Sequence, residues 1–138
     1  MSVETLEQAK KVAISYAHAV WDDQDITAID RFFHPEAIIH SVLGDYKGST
    51  AIKEVIQTWL HAFPDLKVTN TAVFGEEDRV AIQWKAQGTH KGMFKNIGPT
   101  DKQIHYQGVT IYQVQDERII AYWVYIDMND LLRQIKPL

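Results

Sequence analysis

The stretch Ala121-Tyr-Trp-Val-Tyr-Ile-Asp-Met-Asn-Asp130 decides how the chain is read. Tyr122, Val124 and Ile126 fall on one alternating face, and Ala121, Trp123, Tyr125 and Asp127 on the other. A strand that is apolar on both sides belongs in the middle of a sheet. The acid that closes it has two readings. Asp127 and Asp130 have the spacing of an N-cap and a third helical residue, suited to the exposed amides and dipole of a following helix over 128–136. Alternatively, an acid at the mouth of an apolar pocket would have a raised pKa and could act as general acid or base. The capping pattern favours the first reading.

Working back from that strand, a turn at Gln115-Asp-Glu117 separates it from another strand over 104–114. Before a glycine-containing connection over 88–101, Val80, Ile82, Trp84 and Ala86 alternate with polar neighbours, as a half-buried strand requires. A strand over 66–74 and the turn Gly75-Glu-Glu-Asp78 precede it.

The N-terminal half has a period near 3.6 instead. Leu6, Ala9, Ala13, Tyr16 and Val20 share one helical face, with Ser2 as N-cap and Glu4 in the first turn. A short helix from Asp25 uses Ile26, Ile29 and Phe33, and ends at His34-Pro35. A strand over 37–42 and a turn at Gly44-Asp-Tyr-Lys-Gly48 lead to a third helix. Ser49 or Thr50 caps it, and its inner face is Ile52, Val55, Ile56, Trp59 and Phe63 before Pro64. Helices followed by long antiparallel strands predict an α+β fold: one domain over 1–138, in which a curved sheet wraps around helices.

Composition narrows the function. The chain has 138 residues, 46% hydrophobic and 23% charged, which is ordinary for a folded domain. A net charge of −4 without a basic run argues against nucleic acid or an anionic membrane surface as partner. There is no cysteine, hence no thiolate nucleophile or cysteine metal site. The start lacks signal-peptide character and no apolar run reaches membrane-spanning length, so a cytoplasmic protein is expected.

Several short motifs then coincide. Phe63-Pro-Asp-Leu66, Trp84 with Gly88-Thr-His90 and Gly92, Gly98-Pro-Thr-Asp-Lys102, and Trp123 followed by Asp127 resemble the SnoaL-like polyketide cyclases. These belong to the nuclear transport factor two-like superfamily. The resemblance implies a cone-shaped, curved antiparallel sheet wrapped around three helices, and frequent pairing into homodimers through the outer sheet face. It implies an activity far less firmly, because one fold hosts many chemistries. Two departures stand out. Asp101 replaces a common glycine. The cyclases' acid/base carboxylate would fall at or near Val124, and its supporting histidine near Thr110, so the aldol-cyclisation machinery is missing.

Within this resemblance, His40 lies close to where ketosteroid isomerase keeps its proton-shuttling carboxylate, and Tyr16 aligns with that enzyme's oxyanion-stabilising tyrosine. A histidine titrates near neutrality and could move a proton between carbons. A tyrosine could donate to a developing enolate oxygen. The plainer alternative is a buried, hydrogen-bonded histidine beside a core tyrosine. Trp84, Tyr106, Thr110 and Tyr122 are expected to line the pocket. Trp59, also counted with the pocket, packs helix three against the sheet, and His90 sits on a loop, where it could rim the opening or simply be solvated. His105 alternates onto the outer face with Gln107 and Gln113, where a dimer contact would be wet. His18, His34 and His61 read as surface residues. No histidine pair has metal-ligand spacing, so neither a metal nor another cofactor is expected.

Three functions follow. The first is a cofactor-free cyclase or isomerase acting on an apolar, polyketide- or steroid-like molecule, with His40 as base, Tyr16 as oxyanion donor and Asp127 as auxiliary acid. The second is a non-catalytic module that binds an apolar metabolite. The third is a dimerising scaffold.

Overall fold

The computed structural model describes residues 5–136. Helix α1 (Leu6–Ala17) starts at a capping box: Thr5 accepts from the Gln8 amide, and the Gln8 side chain accepts from Thr5 N. Ser2 and Glu4, expected to open this helix, lie outside the described residues. Ala9, Ala13 and Tyr16 form its buried stripe. A π-helical turn, His18–Asp22, continues it and shifts the phase of the side chains.

Helix α2 (Ala28–Phe32) is shorter than the pattern predicts. Asp25 does not begin it; its carboxylate instead accepts from the Thr27 amide and hydroxyl, forming a turn before the helix. Strand β1 (Phe33–Ser41) begins earlier than expected and runs through His34-Pro35, where its pairing register shifts. The expected turn over 44–48 is mostly a short strand, β2 (Gly44–Lys47). Helix α3 (Ser49–Ala62) has Gly48 at its N-cap with φ of 88°, a conformation that suits glycine, and no side-chain cap from Ser49 or Thr50. Its inner face is the expected one: Ile52, Val55, Ile56, Trp59 and Phe63 are all buried.

Four long strands complete the sheet: β3 (Lys67–Glu76), β4 (Arg79–Thr89), β5 (Gln103–Gln115) and β6 (Arg118–Ile126). The spatial order is β2-β1-β6-β5-β4-β3, so β6 lies inside the sheet as its two apolar faces require. Neighbours are antiparallel except β1 and β6, which run parallel, with Ile39 beside Tyr122 and His40 beside Trp123. Helix α4 (Met128–Ile135) packs Leu131 and Ile135 into the core. The fold is α+β, a curved six-stranded sheet closed by helices. Two adjoining apolar clusters fill it. One surrounds Tyr16, Ile39 and Tyr122; the other surrounds Trp59, Phe63, Phe94 and Tyr106.

Candidate functional site

The inward residues of β4, β5 and β6, facing α1 and α3, enclose a narrow cavity of about 60 Å³. Strand parity builds its wall. From β5 come Tyr106, Thr110 and Tyr112, and from β6 Tyr122, Val124 and Ile126. Across these strands Tyr112 is the Cα partner of Tyr122, and Thr110 of Val124. Helix α3 contributes Val55, Ile56 and Trp59, and the first helix and its π turn contribute Tyr16 and Trp21.

Three tyrosines gather at the inner end. The Tyr16 ring stands 5.8 Å from Tyr112 and 6.4 Å from Tyr122, and Tyr112 meets Tyr122 edge-on at 5.4 Å. Burial, with a smaller contribution from neighbouring Tyr122 and Tyr112, holds the Tyr16 pKa well above the ordinary tyrosine value. Burial likewise raises Tyr112 and Tyr122, against a weaker lowering by Thr110 and Tyr16 respectively. All three therefore remain neutral hydrogen-bond donors at working pH and cannot serve as tyrosinate bases. The Tyr16 hydroxyl is fully buried, and although it lies near Tyr122 it makes no well-formed hydrogen bond.

Midway along the cone, Trp84 Nε1 donates to Thr110 Oγ1 at 2.9 Å. Gly108 allows the indole to lie against β5, because a β-carbon there would stand 2.8 Å from Trp84 Cζ2. Tyr106 stacks on Trp59 at 5.5 Å and meets Trp84 edge-on at 5.6 Å. No Asp, Glu, His, Lys or Arg is among the described residues that line the cavity.

The residues singled out from sequence thus divide. Tyr16, Trp59, Trp84, Tyr106, Thr110, Tyr122 and Val124 line one cavity. His40, His90 and Asp127 do not. Because Ile39 and Ser41 point inward on β1, His40 points outward. Its ring stacks on Trp123 at 5.5 Å, and its Nδ1 lies 3.1 Å from Asp45 Oδ1. Its side chain is 38% exposed. The expected convergence of His40 with Tyr16 is therefore not formed, since the sheet separates them.

Asp127 is exposed and caps α4, accepting the Asp130 amide at 3.1 Å. It borders a shallow outer groove with His105 and Gln107. His90 is covered by residues 91–102: its amide donates to the Lys102 carbonyl, its Nδ1 pairs with Thr100 Oγ1 at 2.9 Å, and its ring packs on Phe63. It rims nothing. Among the described residues, no three His, Asp or Glu side chains gather closely enough to hold a metal ion.

Sequence reasoning missed Tyr112, Trp21 and Asn70, which also line the cavity. Tyr112 was accessible, since it shares the even-numbered face of β5 with Tyr106 and Thr110. Asn70 likewise falls in the even-numbered series of Leu66 and Val68, whereas Trp21 sits in a π turn that no simple period reveals.

The SnoaL-like polyketide cyclase family profile matches residues 11–135, nearly the whole described chain. The chain belongs to that family. Among solved structures, this SnoaL-like protein is similar to AclR, a candidate hydroxylase from Streptomyces galilaeus. Identity is 25% over 97% of this chain and 99% of that one, with a TM-score of 0.84. A candidate polyketide cyclase from Acidithiobacillus ferrooxidans is 26% identical over 99% and 98% of the two chains, with a TM-score of 0.81. A candidate SnoaL-like cyclase from Jannaschia sp. CCS1 superimposes with a TM-score of 0.90 over all of both chains at 18% identity, which speaks for the fold alone. No curated protein matches the sequence. No described helix is long and apolar enough to cross a membrane.

Proposed function

We propose that this SnoaL-like protein binds an apolar, carbonyl-bearing, polyketide- or steroid-like molecule in its cone and promotes cyclase- or isomerase-type enolisation without a cofactor. The observation that carries the reading is the Tyr16 hydroxyl, buried without a partner in the lining of an otherwise apolar cavity. A buried orphan donor is costly unless a ligand uses it. A neutral tyrosine held away from water stabilises an enolate oxygen as it develops, and one such donor is worth roughly 10²–10³ in rate.

Tyr16 takes the role of oxyanion donor, with Tyr122 and Tyr112 shaping its end of the cone. Because no carboxylate or histidine is among the described residues that line the cavity, the carbon-bound proton passes to water or to a basic group of the substrate. That limits the reaction to acidified carbons, such as those between two carbonyls of a polyketide. At about 60 Å³ the cavity is below the range of roughly 300–1,000 Å³ typical of ligand pockets. Ligand entry therefore requires side chains of the lining to part.

Deuterium exchange at the α-carbons of 2-tetralone in D₂O, followed by NMR, tests the reading. Wild type accelerates exchange and Tyr16→Phe loses most of the acceleration. Equal rates in the two proteins would sink it. The second reading, a non-catalytic binder, is favoured by the wholly uncharged lining. It predicts saturable binding of the ketone with no acceleration.

The proposed assembly is a homodimer through the outer sheet face, where exposed Phe74 and Tyr125 accompany Gln107 and His105. Sedimentation equilibrium gives its mass directly, and a monomer at micromolar concentration would refute it.

A further inference from the structure

Level with Trp84, two inward rows from the Tyr112–Tyr122 pair, one lining residue does no visible work for the fold. Asn70 lies on edge strand β3, as Cα partner of Trp84, and is exposed where it borders the cavity. Asparagine is disfavoured in strands. This one makes no side-chain hydrogen bond to any described residue.

The backbone is irregular at this point. The β3 register shifts between Asn70 and Ala72, leaving Thr71 as the extra residue of a bulge. Thr71 Oγ1 donates to the Gln83 carbonyl at 3.2 Å and fastens it. In a regular strand, residues three apart face opposite ways. Asn70 faces inward in step with Leu66 and Val68, and the bulge that follows brings Val73, opposite Ile82, onto the same face. Regular pairing thus ends just after the residue that brings its amide to the cavity wall.

Position along the sheet supplies a length. Tyr112, Thr110 and Gly108 stand in successive inward rows of β5, and Gly108 faces Trp84 across β4. Asn70 is therefore four strand residues from the tyrosine row, roughly 13 Å along the backbone. Between them lies the row of Ile82, Thr110 and Val124, whose one side-chain polar group, the Thr110 hydroxyl, already accepts from Trp84.

We infer that Asn70 is a ligand-reading residue. Its amide donates to an oxygen at the outer end of an elongated, neutral molecule whose inner carbonyl oxygen meets Tyr16. The substrate class is accordingly an uncharged, extended or fused-ring ketone oxygenated at both ends. This rests on the cone being the ligand site, as proposed above.

Because Trp21, Trp59 and Trp84 line the cavity, quenching of tryptophan fluorescence reports binding. The probes are 2-tetralone, androstenedione with a ketone at each end, and the otherwise identical steroid lacking the far ketone. The variants are Asn70→Ala, Asn70→Asp and Tyr16→Phe. Wild type should bind the diketone more tightly than the monoketone by roughly threefold to tenfold, the size of one neutral hydrogen bond. Both Asn70 variants should erase that advantage, whereas Tyr16→Phe weakens both steroids alike and keeps the diketone preference. Equal diketone binding by wild type and Asn70→Ala overturns the inference and leaves the cone reading intact. Tyr16-dependent binding of 2-tetralone without either steroid does the same. If wild type binds none of the three, the cone reading fails and takes this inference with it.

Discussion

Thr110 and Val124 face each other across β5 and β6, both turned into the cone. Neither is ionisable: Thr110 is engaged with the Trp84 indole and Val124 is aliphatic.

Placing an acid there should therefore be costly. Val124→Asp places a carboxyl against Tyr122, Ile126 and Trp84 with no cationic partner, which raises its pKa. The folded state then binds the proton more tightly than the unfolded state, so stability falls as pH rises above the ordinary aspartate range. We expect a loss of about 2–4 kcal/mol at pH 7 and clearly less at pH 4, read from urea unfolding at both values.

Removing the orphan hydroxyl should cost the fold nothing. Tyr16→Phe deletes an oxygen without a well-formed partner and keeps the ring contacts with Phe33, Tyr112 and Tyr122. Unfolding free energy should stay level or rise by up to about 1 kcal/mol. A loss beyond that would show that the hydroxyl is satisfied in solution.

His40→Ala should leave ketone exchange unchanged, because the sheet stands between that ring and the cone. Its effect should instead be on the outer surface, where His40 stacks on Trp123 and Arg79 lies 4.8 Å from that indole centroid. Exchange rates and Trp fluorescence, measured on one preparation, separate the two.

Asp127→Ala should destabilise by about 1 kcal/mol through loss of the α4 cap, with exchange rates as in wild type. Denaturant midpoints and NMR exchange check the two parts.

Burial lowers the His90 pKa, against a weaker raising by Gly92. Between the folded value and the unfolded value near 6.5, the unfolded chain binds more protons. His90 therefore favours the fold above about pH 6.5, and its contribution is lost as the pH falls below that. Exposed His18, raised by Asp22 and Asp23, acts with the opposite sign. His90→Gln should flatten the acid limb of the curve of Tm against pH, while His18→Gln should not.

What could be read from the sequence was whatever depends on local period. The stripe through Ala13 and Tyr16, the inner face of α3 and the central place of β6 all follow from spacing and apolar content. Which parity of β1 faces inward does not, because the register shift between Phe33 and Ile38 resets it, and His40 fell on the outer side. Trp21 was hidden for a related reason: a π turn breaks the repeat by which a face is counted. The capping spacing of Asp127 was legible, and the capping geometry is present.

The parallel pairing of β1 with β6 has a consequence for how the molecule forms. It joins a strand near the N-terminus to the last one made, across most of the intervening chain. Such distant contacts slow folding, since a long loop must close before they form. In a growing polypeptide, α1, β1 and α3 are complete while the strand that unites them with the sheet is still absent. Tyr16 gains Tyr122 as a neighbour only when that strand arrives. A fragment ending before β6 therefore lacks Tyr122, Val124 and Ile126, and with them one wall of the cavity.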